Sequence, residues 1–228
     1  MPFDVSSVTS PPDDTYTAAM STTAAPFSGS SLADDRRDLA RSRVLRAARS
    51  VLAERGLSAT VDDVAEAAGL SRRTVFRHFE TRERLFAAAL EDGLRSYAQQ
   101  LGAVYSASPG DDWLADLLLA AHRLNANNGR IYWELAALET EVEGELASVA
   151  AERRTSRKRF ATQVTTKAWT ARGGTGRPPT WLIDAFAVHF SAFTTQSVGG
   201  DFRRTPEDVA AMSARVLGAA LNAALAPG

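Results

Sequence analysis

The sequence predicts an all-α protein, and three observations carry that reading. From Leu32 onward, apolar residues recur at three- and four-residue steps through almost every segment, the spacing of one helix face. No stretch shows the two-residue alternation of a half-buried strand. The periodic segments are separated by "SASPGD", "RGGTGRPP" and "VGGDFRR", clusters of the residues that end or cap helices.

The elements follow in order. The first thirty residues contain no Lys or Arg, so they have neither the basic start of a secretory signal nor the arginines of a transit peptide. Ser, Thr, Pro and Ala dominate, and residues 1–31 read as a disordered tail. Leu39, Val44, Leu45, Ala48, Val51 and Leu52 make a helix from Leu32 to about Gly56, which ends it. Thr60 caps a short helix, Val61 to Ala68, with Asp62 and Asp63 in the first turn where the helix dipole favours them. Gly69 ends it, and Ser71 caps a second short helix reaching about Phe79. Thr81 caps a long third helix with Leu85, Phe86, Leu90, Leu94, Tyr97, Leu101 and Val104 on its stripe.

Beyond residue 111, "DDWLADLLLAAHRLNANNG" reads as one helix and "RIYWELAALETE" as a shorter one. A long polar helix covers roughly Gly144–Ala171. "TWLIDAFAVHFSAFTTQS" reads as one helix with Leu182, Phe186, His189, Phe190 and Phe193 on one face. Thr205, Pro206 and Asp208 make a strong start for the last. No apolar run approaches the ~20 residues that span a bilayer.

The stretch "TVDDVAEAAGLSRRTVFRHFETRERLF" (60–86) has the spacing of a helix-turn-helix. Two helices crossing near a right angle need a small residue at the crossing, and Ala65 supplies it. The turn four residues on needs positive φ, which Gly69 adopts without strain. Six residues further, Val75 locks the second helix onto the first, with Val64, Leu70 and Phe79 completing a small core. Arg72, Arg73, Phe76 and Arg77 are left outside. A recognition helix enters the major groove N-terminus first, which puts Arg72, Arg73 and Thr74 at base edges. There arginine pairs bidentately with guanine. Arg77 and His78, a turn later, face phosphate, as do Thr81 and Arg82 at the start of the next helix.

These residues resemble the N-terminal DNA-binding domain of TetR-family transcriptional regulators, over roughly residues 36–90. The family pattern is a threonine opening helix 2, an Ala-x-x-x-Gly turn, a short helix ending aromatic-x-His-Phe, and a basic residue starting helix 4. Thr60, Ala65, Gly69, Phe76, His78, Phe79 and Arg82 meet it. Phe76 stands where the family usually has tyrosine, which removes one hydroxyl contact to phosphate. Arg82 stands where lysine is usual, and the charge is kept. The resemblance implies DNA contacts from Thr60, Ser71, Arg72, Arg73, Thr74, Phe76, Arg77, His78 and Arg82. It also implies a homodimer, a partly palindromic operator of double-stranded DNA, a helical C-terminal domain that binds an inducing small molecule, and a place at the nucleoid of a bacterial cytoplasm. The domains then run 1–31 for the tail, 32–85 for the helix-turn-helix and 86–228 for ligand binding and dimerisation.

Charge fits a local DNA surface. The chain carries a net −1, yet residues 33–86 hold 12 arginines against 9 carboxylates. The second basic cluster, "ERRTSRKRF" (152–160), follows Glu139, Glu141, Glu143 and Glu145 and reads as a solvated, charge-paired helix. Large aromatics with polar neighbours in the second domain suggest an apolar pocket with polar anchors. Trp113, Leu117, His122, Tyr132 and Trp133 are its candidates, and Phe186, His189 and Phe193 are candidates for the dimer interface. With no cysteine, three histidines, no Glu-x-x-His, no His-Glu-x-x-His, no phosphate loop and no nucleophile elbow, the chain offers neither a metal centre nor an enzyme site. No cofactor is expected. The alternative is a DNA-binding protein whose C-terminal domain takes a protein partner instead of a metabolite.

Overall fold

The computed structural model describes residues 32–106, 110, 112–128, 130–137 and 144–226. The expected tail over 1–31 and the acidic Glu139, Glu141 and Glu143 lie outside them. The chain divides into two units at Arg37. The described part of the first is one helical stretch, Leu32–Arg37, with an Arg37–Asp34 ion pair at 3.1 Å.

From Asp38 on, every regular element among the described residues is helical. Helix α1 (Leu32–Arg55) buries Val44, Ala47, Ala48, Val51 and Leu52, all in its second half. Leu39, expected on the same stripe, is 69% exposed, because the apolar side meets a partner only from Val44 on. A 3-10 turn (Gly56–Ser58) leads to α2 (Val61–Ala68), α3 (Arg72–Phe79) and α4 (Arg82–Tyr105). These are the expected spans, set by Thr60, Ser71 and Thr81, whose hydroxyls accept the amides of Asp63, Thr74 and Arg84. Gly69, at φ +61°, closes α2 in the left-handed conformation glycine adopts cheaply. Glu80 closes α3 at φ +57°, so α3 stops after two turns and Thr81 restarts the chain as α4.

Helices α5 (Trp113–Asn127), α6 (Arg130–Ala137), α7 (Glu145–Ala171), α8 (Thr180–His189), α9 (Ala192–Gln196) and α10 (Pro206–Leu225) follow. One expectation is corrected here. The single helix read over 180–197 is two helices, because Ser191 acts as an N-cap: its Oγ accepts the Thr194 amide at 3.1 Å. A π-type turn, Ser197–Asp201, continues α9 where a loop was expected. By length and composition alone α10 is also long and apolar enough to cross a membrane, which the search for apolar runs did not register. Its Val209, Ala210, Ser213, Leu217 and Leu221 are buried, and it packs mainly on α5 and α8.

Two apolar cores result. The first joins α1–α3 and the N-terminal half of α4 to Ile131, Tyr132 and Leu135 of α6 and to Val149 and Ala150 of α7. The second joins Leu101 of α4 to α5, α7, α8 and α10. The boundary expected at residue 85 falls inside α4, and Phe86, Ala87, Ala89 and Leu90 beyond it still pack in the first core.

Candidate nucleic-acid interface

The inner faces of α2 and α3 are committed to packing. Val64, Ala65, Val75 and Phe79 are all at most 5% exposed, with Leu70 and Phe76 packed beside them. This leaves Arg72, Arg73 and Arg77 exposed on α3, as the spacing implied. Arg73 and Arg77 make no ion pair among the described residues. Arg72 does: its Nη1 lies 2.5 Å from Asp62 Oδ2, and its Cζ sits 5.2 Å from the Phe76 ring centroid.

Several other candidates are already engaged. Thr60 and Asp63 form a reciprocal cap, with the Thr60 amide donating to Asp63 Oδ2 at 2.9 Å and the Asp63 amide to Thr60 Oγ1 at 3.2 Å. The Thr60 hydroxyl donates to the same carboxylate at 2.8 Å. The Thr60 amide and hydroxyl, with Arg55 beside them at 2.5 Å, hold the Asp63 carboxyl below the usual carboxylate range. Ser71 Oγ accepts the Thr74 amide at 3.2 Å and lies 2.8 Å from the Thr74 hydroxyl. His78 is half-buried, its ring against Phe79 and its carbonyl accepting from Arg41 Nη1 at 3.3 Å.

Arg82 differs most from its expected role. Its Nη2 donates to the carbonyls of Leu57 and Ala59 at 2.6 and 3.0 Å, its Nε donates to Ala59 at 3.2 Å, and its Cζ lies 4.5 Å from the Phe86 ring centroid. Three of its five donors thus tie the start of α4 to the turn before α2. Two further arginines were not singled out. Arg41 lies 4.5 Å over the Phe79 ring, and the Arg43 guanidinium lies against the turn at Gly69. Nothing in their spacing on α1 marks them, since what they touch is set by how α1 crosses α3.

The helix-turn-helix is clasped from the other region at two points. Glu134 of α6 accepts the Leu57 amide at 2.7 Å, and its carboxylate fills the place a Cβ on Gly56 would take. Gly56 is also at φ +62°, so glycine serves there on both counts. At the second point, Glu83 accepts the Glu145 amide at 3.1 Å while Arg84 Nε donates to Glu145 Oε1 at 3.0 Å. Arg84 also pairs with Glu80 at the end of α3.

The five pocket candidates do not share one place. Trp113 and Leu117 are buried in the second core and Tyr132 in the first, with Tyr97 of α4 packed against both. Trp113 Nε1 and Tyr132 Oη are buried without a hydrogen-bond partner among the described residues. His122 is fully buried in a polar network. Its Nδ1 lies 2.8 Å from Thr195 Oγ1 and its Nε2 3.4 Å from Ser213 Oγ, which lies 3.1 Å from His189 Nδ1. Thr195 donates to the Ser191 carbonyl and accepts from Asn125. His122 Nδ1–H therefore donates to Thr195 and its Nε2 accepts from Ser213, so both ring nitrogens are used. Burial, with His189 nearby, pushes His122 down to about 4. Trp133 is a correction: it is 37% exposed and stacks on Phe193 of α9, ring centroids 5.2 Å apart.

The interface candidates need the same revision. Phe186 is fully buried within the chain, stacked near Phe190, so it has no surface to offer a partner. Phe193 is 52% exposed because the break at Ser191 turns it off the stripe of Phe186 and Phe190. His189 is half-buried on Ser213. Exposed apolar side chains on α8 and α10 that were not singled out are Trp181, Val188 and Val216.

Comparison with known proteins agrees with this geometry. No curated protein matches the chain. A transcriptional regulator from Rhodococcus sp. Rha1 has a similar structure, with TM-score 0.61 and 23% identity over 82% of this chain and 99% of that one. FadR from Bacillus subtilis, solved with stearoyl-CoA, gives 0.57 and 16% over 81% and 99%. NalD from Pseudomonas aeruginosa, the secondary repressor of the MexAB-OprM multidrug efflux pump, gives 0.52 and 19% over 81% and 96%. At these identities the likeness establishes the fold. The sequence profile of the family described as "Bacterial regulatory proteins, tetR family" matches residues 44–89, the segment that holds the turn at Gly69 and the exposed arginines of α3. That segment, on a scaffold shared with these regulators, places the chain among the TetR-family transcriptional regulators.

Proposed function

We propose that the chain is a homodimeric repressor that binds a partly palindromic operator through two α3 helices and leaves it when a small molecule enters the region 86–228. The observation that carries this reading is the outer face of α3. Arg73 and Arg77 stand exposed without an ion pair among the described residues, on a helix whose inner face is fully committed. Arg72 and Thr74 sit with them at its N-terminal end. Thr60 and Ser71 contribute by fixing the helix starts that present amides to phosphate. Phe76 supports Arg72, and His78 and Arg82 hold the flanking backbone, Arg82 with two donors still available.

Exposed Trp181, Val188, Phe193 and Val216 support a dimer formed through the α8–α10 region. A hollow of about 560 Å³ lined by Met212, Arg215 and Val216 lies on the same side of α10. Such a dimer holds the two α3 helices about one DNA turn, ~34–36 Å, apart. A ligand that favours another spacing weakens binding by its differential affinity for the two states. The unpartnered Trp113 Nε1 and Tyr132 Oη support a ligand site beside Leu117, because a buried unpaired polar atom costs about 1–3 kcal/mol that a ligand can recover. The stearoyl-CoA of FadR supports the same idea. Glu134 and Glu145 provide the route to the DNA-binding helices.

The test is a gel shift on DNA flanking the protein's own gene, over a salt series. Wild type shifts the fragment, and Arg73→Ala with Arg77→Ala weakens binding and lowers the salt slope by about 2, roughly one per lost phosphate contact. No shift at low salt with wild type, or an undiminished sequence-specific shift with the double variant, would sink the assignment. A metabolite that raises the melting temperature and abolishes the shift identifies the ligand.

A further inference from the structure

Resting on that DNA-binding reading, we propose that Asp62 is a positioning residue for sequence readout: it holds the Arg72 guanidinium in one orientation at a base edge. Two carboxylates occupy the first turn of α2, and they do different things. Asp63 caps the helix with Thr60 and pairs with Arg55. Asp62 takes no part in the cap. Its Oδ2 reaches across the turn to Arg72 Nη1 at 2.5 Å, joining the first turns of consecutive helices.

On its other side Arg72 lies 5.2 Å from the Phe76 ring centroid, so the planar group is fixed between a carboxylate and an aromatic face. A carboxylate on a surface that meets phosphates weakens general attraction to DNA. A pair between groups this exposed, 57% for Arg72 and 63% for Asp62, contributes little to folding. What Asp62 does supply is orientation. Bidentate pairing with guanine requires the arginine fork to lie in the plane of the base, and a fork already held there loses less freedom on binding. With one donor given to Asp62, four remain, and the pairing uses two. Arg73 and Arg77, without such support, are suited to phosphates of any sequence. The geometry thus divides three neighbouring arginines into one reader and two general contacts.

The test uses the full chain as wild type, Asp62→Asn, Arg72→Ala and the double variant. Each is used to select from a random-sequence duplex pool, and each is then titrated with the selected duplex, its single-base variants and an unrelated duplex. Asp62→Asn is expected to melt like wild type and to bind the unrelated duplex at least as tightly. It should lose about tenfold of the preference at one base pair per half-site. Arg72→Ala should lose preference at the same base pair, and adding Asp62→Asn to it should change nothing more. The proposal is overturned if Asp62→Asn leaves every base preference intact, weakens all duplexes alike, or still alters preference in the Arg72→Ala background. If Asp62→Asn melts lower, Asp62→Ser, well suited to a first helical turn, is read in the same way. A wild type that enriches no sequence removes the DNA-binding reading and this proposal together. A wild type and Asp62→Asn that enrich the same sequence equally remove this proposal alone.

Discussion

The pairs α2–α3 and α8–α9 are each two short helices parted by a capping residue, yet only the first pair shows its break in the sequence. Before Ser71 comes Gly69, whose left-handed conformation stops α2 whatever surrounds it. Before Ser191 comes Phe190, and the apolar stripe runs on at helical spacing through Phe193. Serine is tolerated inside helices, so Ser191 is a cap only in context. That context is tertiary: Ser191 Oγ accepts the Thr194 amide and donates to Val188, while Thr195 is drawn into the network around His122. A break supported by glycine chemistry is local information, and a break supported by buried polar pairing is not.

The strongest way to break this comparison is at the two phenylalanines that the stripe treats alike. Phe186→Ala should destabilise by about 3–5 kcal/mol in urea unfolding, as for a fully buried ring. Phe193→Ala, half-exposed beyond the break, should cost below ~1 kcal/mol at protein concentrations where dissociation does not contribute. Equal losses would mean that the Ser191 break does not separate them.

The network itself predicts a pH dependence. His122 is lowered to about 4 from 6.5, because burial favours the neutral ring. Between these values the unfolded chain binds a proton that the folded chain refuses. Stability is therefore full above about pH 6.5 and falls towards pH 4, by roughly 3 kcal/mol at most. His189, also lowered by burial, acts in the same direction. Urea midpoints at pH 7 and pH 4.5 should separate in wild type and draw together in His122→Asn. A wild-type midpoint that does not move in this range would remove the buried network as the organiser of α8–α9.

The smallest effect sharpens the local side. Thr60→Ala removes one cap and should cost about 1 kcal/mol, since only the first turn of α2 depends on it. A cost of several kcal/mol, or a shortened α8 by amide exchange, would show that the helix-turn-helix is less self-contained than its chemistry suggests.

Much of the candidate interface was legible. Ala65, Gly69, Val75 and Phe79 occupy the places their types demand, and Arg73 and Arg77 are exposed where helical spacing puts them. The engagement of Arg82 with the carbonyls of Leu57 and Ala59 was not, because those acceptors lie more than twenty residues back and become available only when α4 packs on the turn before α2. The pocket candidates fared worst. Trp113, Tyr132 and Trp133 are chemically alike in the sequence, but the fold sends them to two different cores and to the surface.

By itself the sequence determined the all-α class, the spans of α2 and α3, and the motif that marks a DNA-binding regulator. Caps, glycine turns and helical spacing act within a few residues, so their outcome does not wait for the rest of the chain. Tertiary structure alone decided that Arg72 is held by Asp62, that Phe186 is core and Phe193 surface, and that His122 is spent in a buried network. Each of these depends on which elements meet, and a helical stripe states that one face is buried without stating against what.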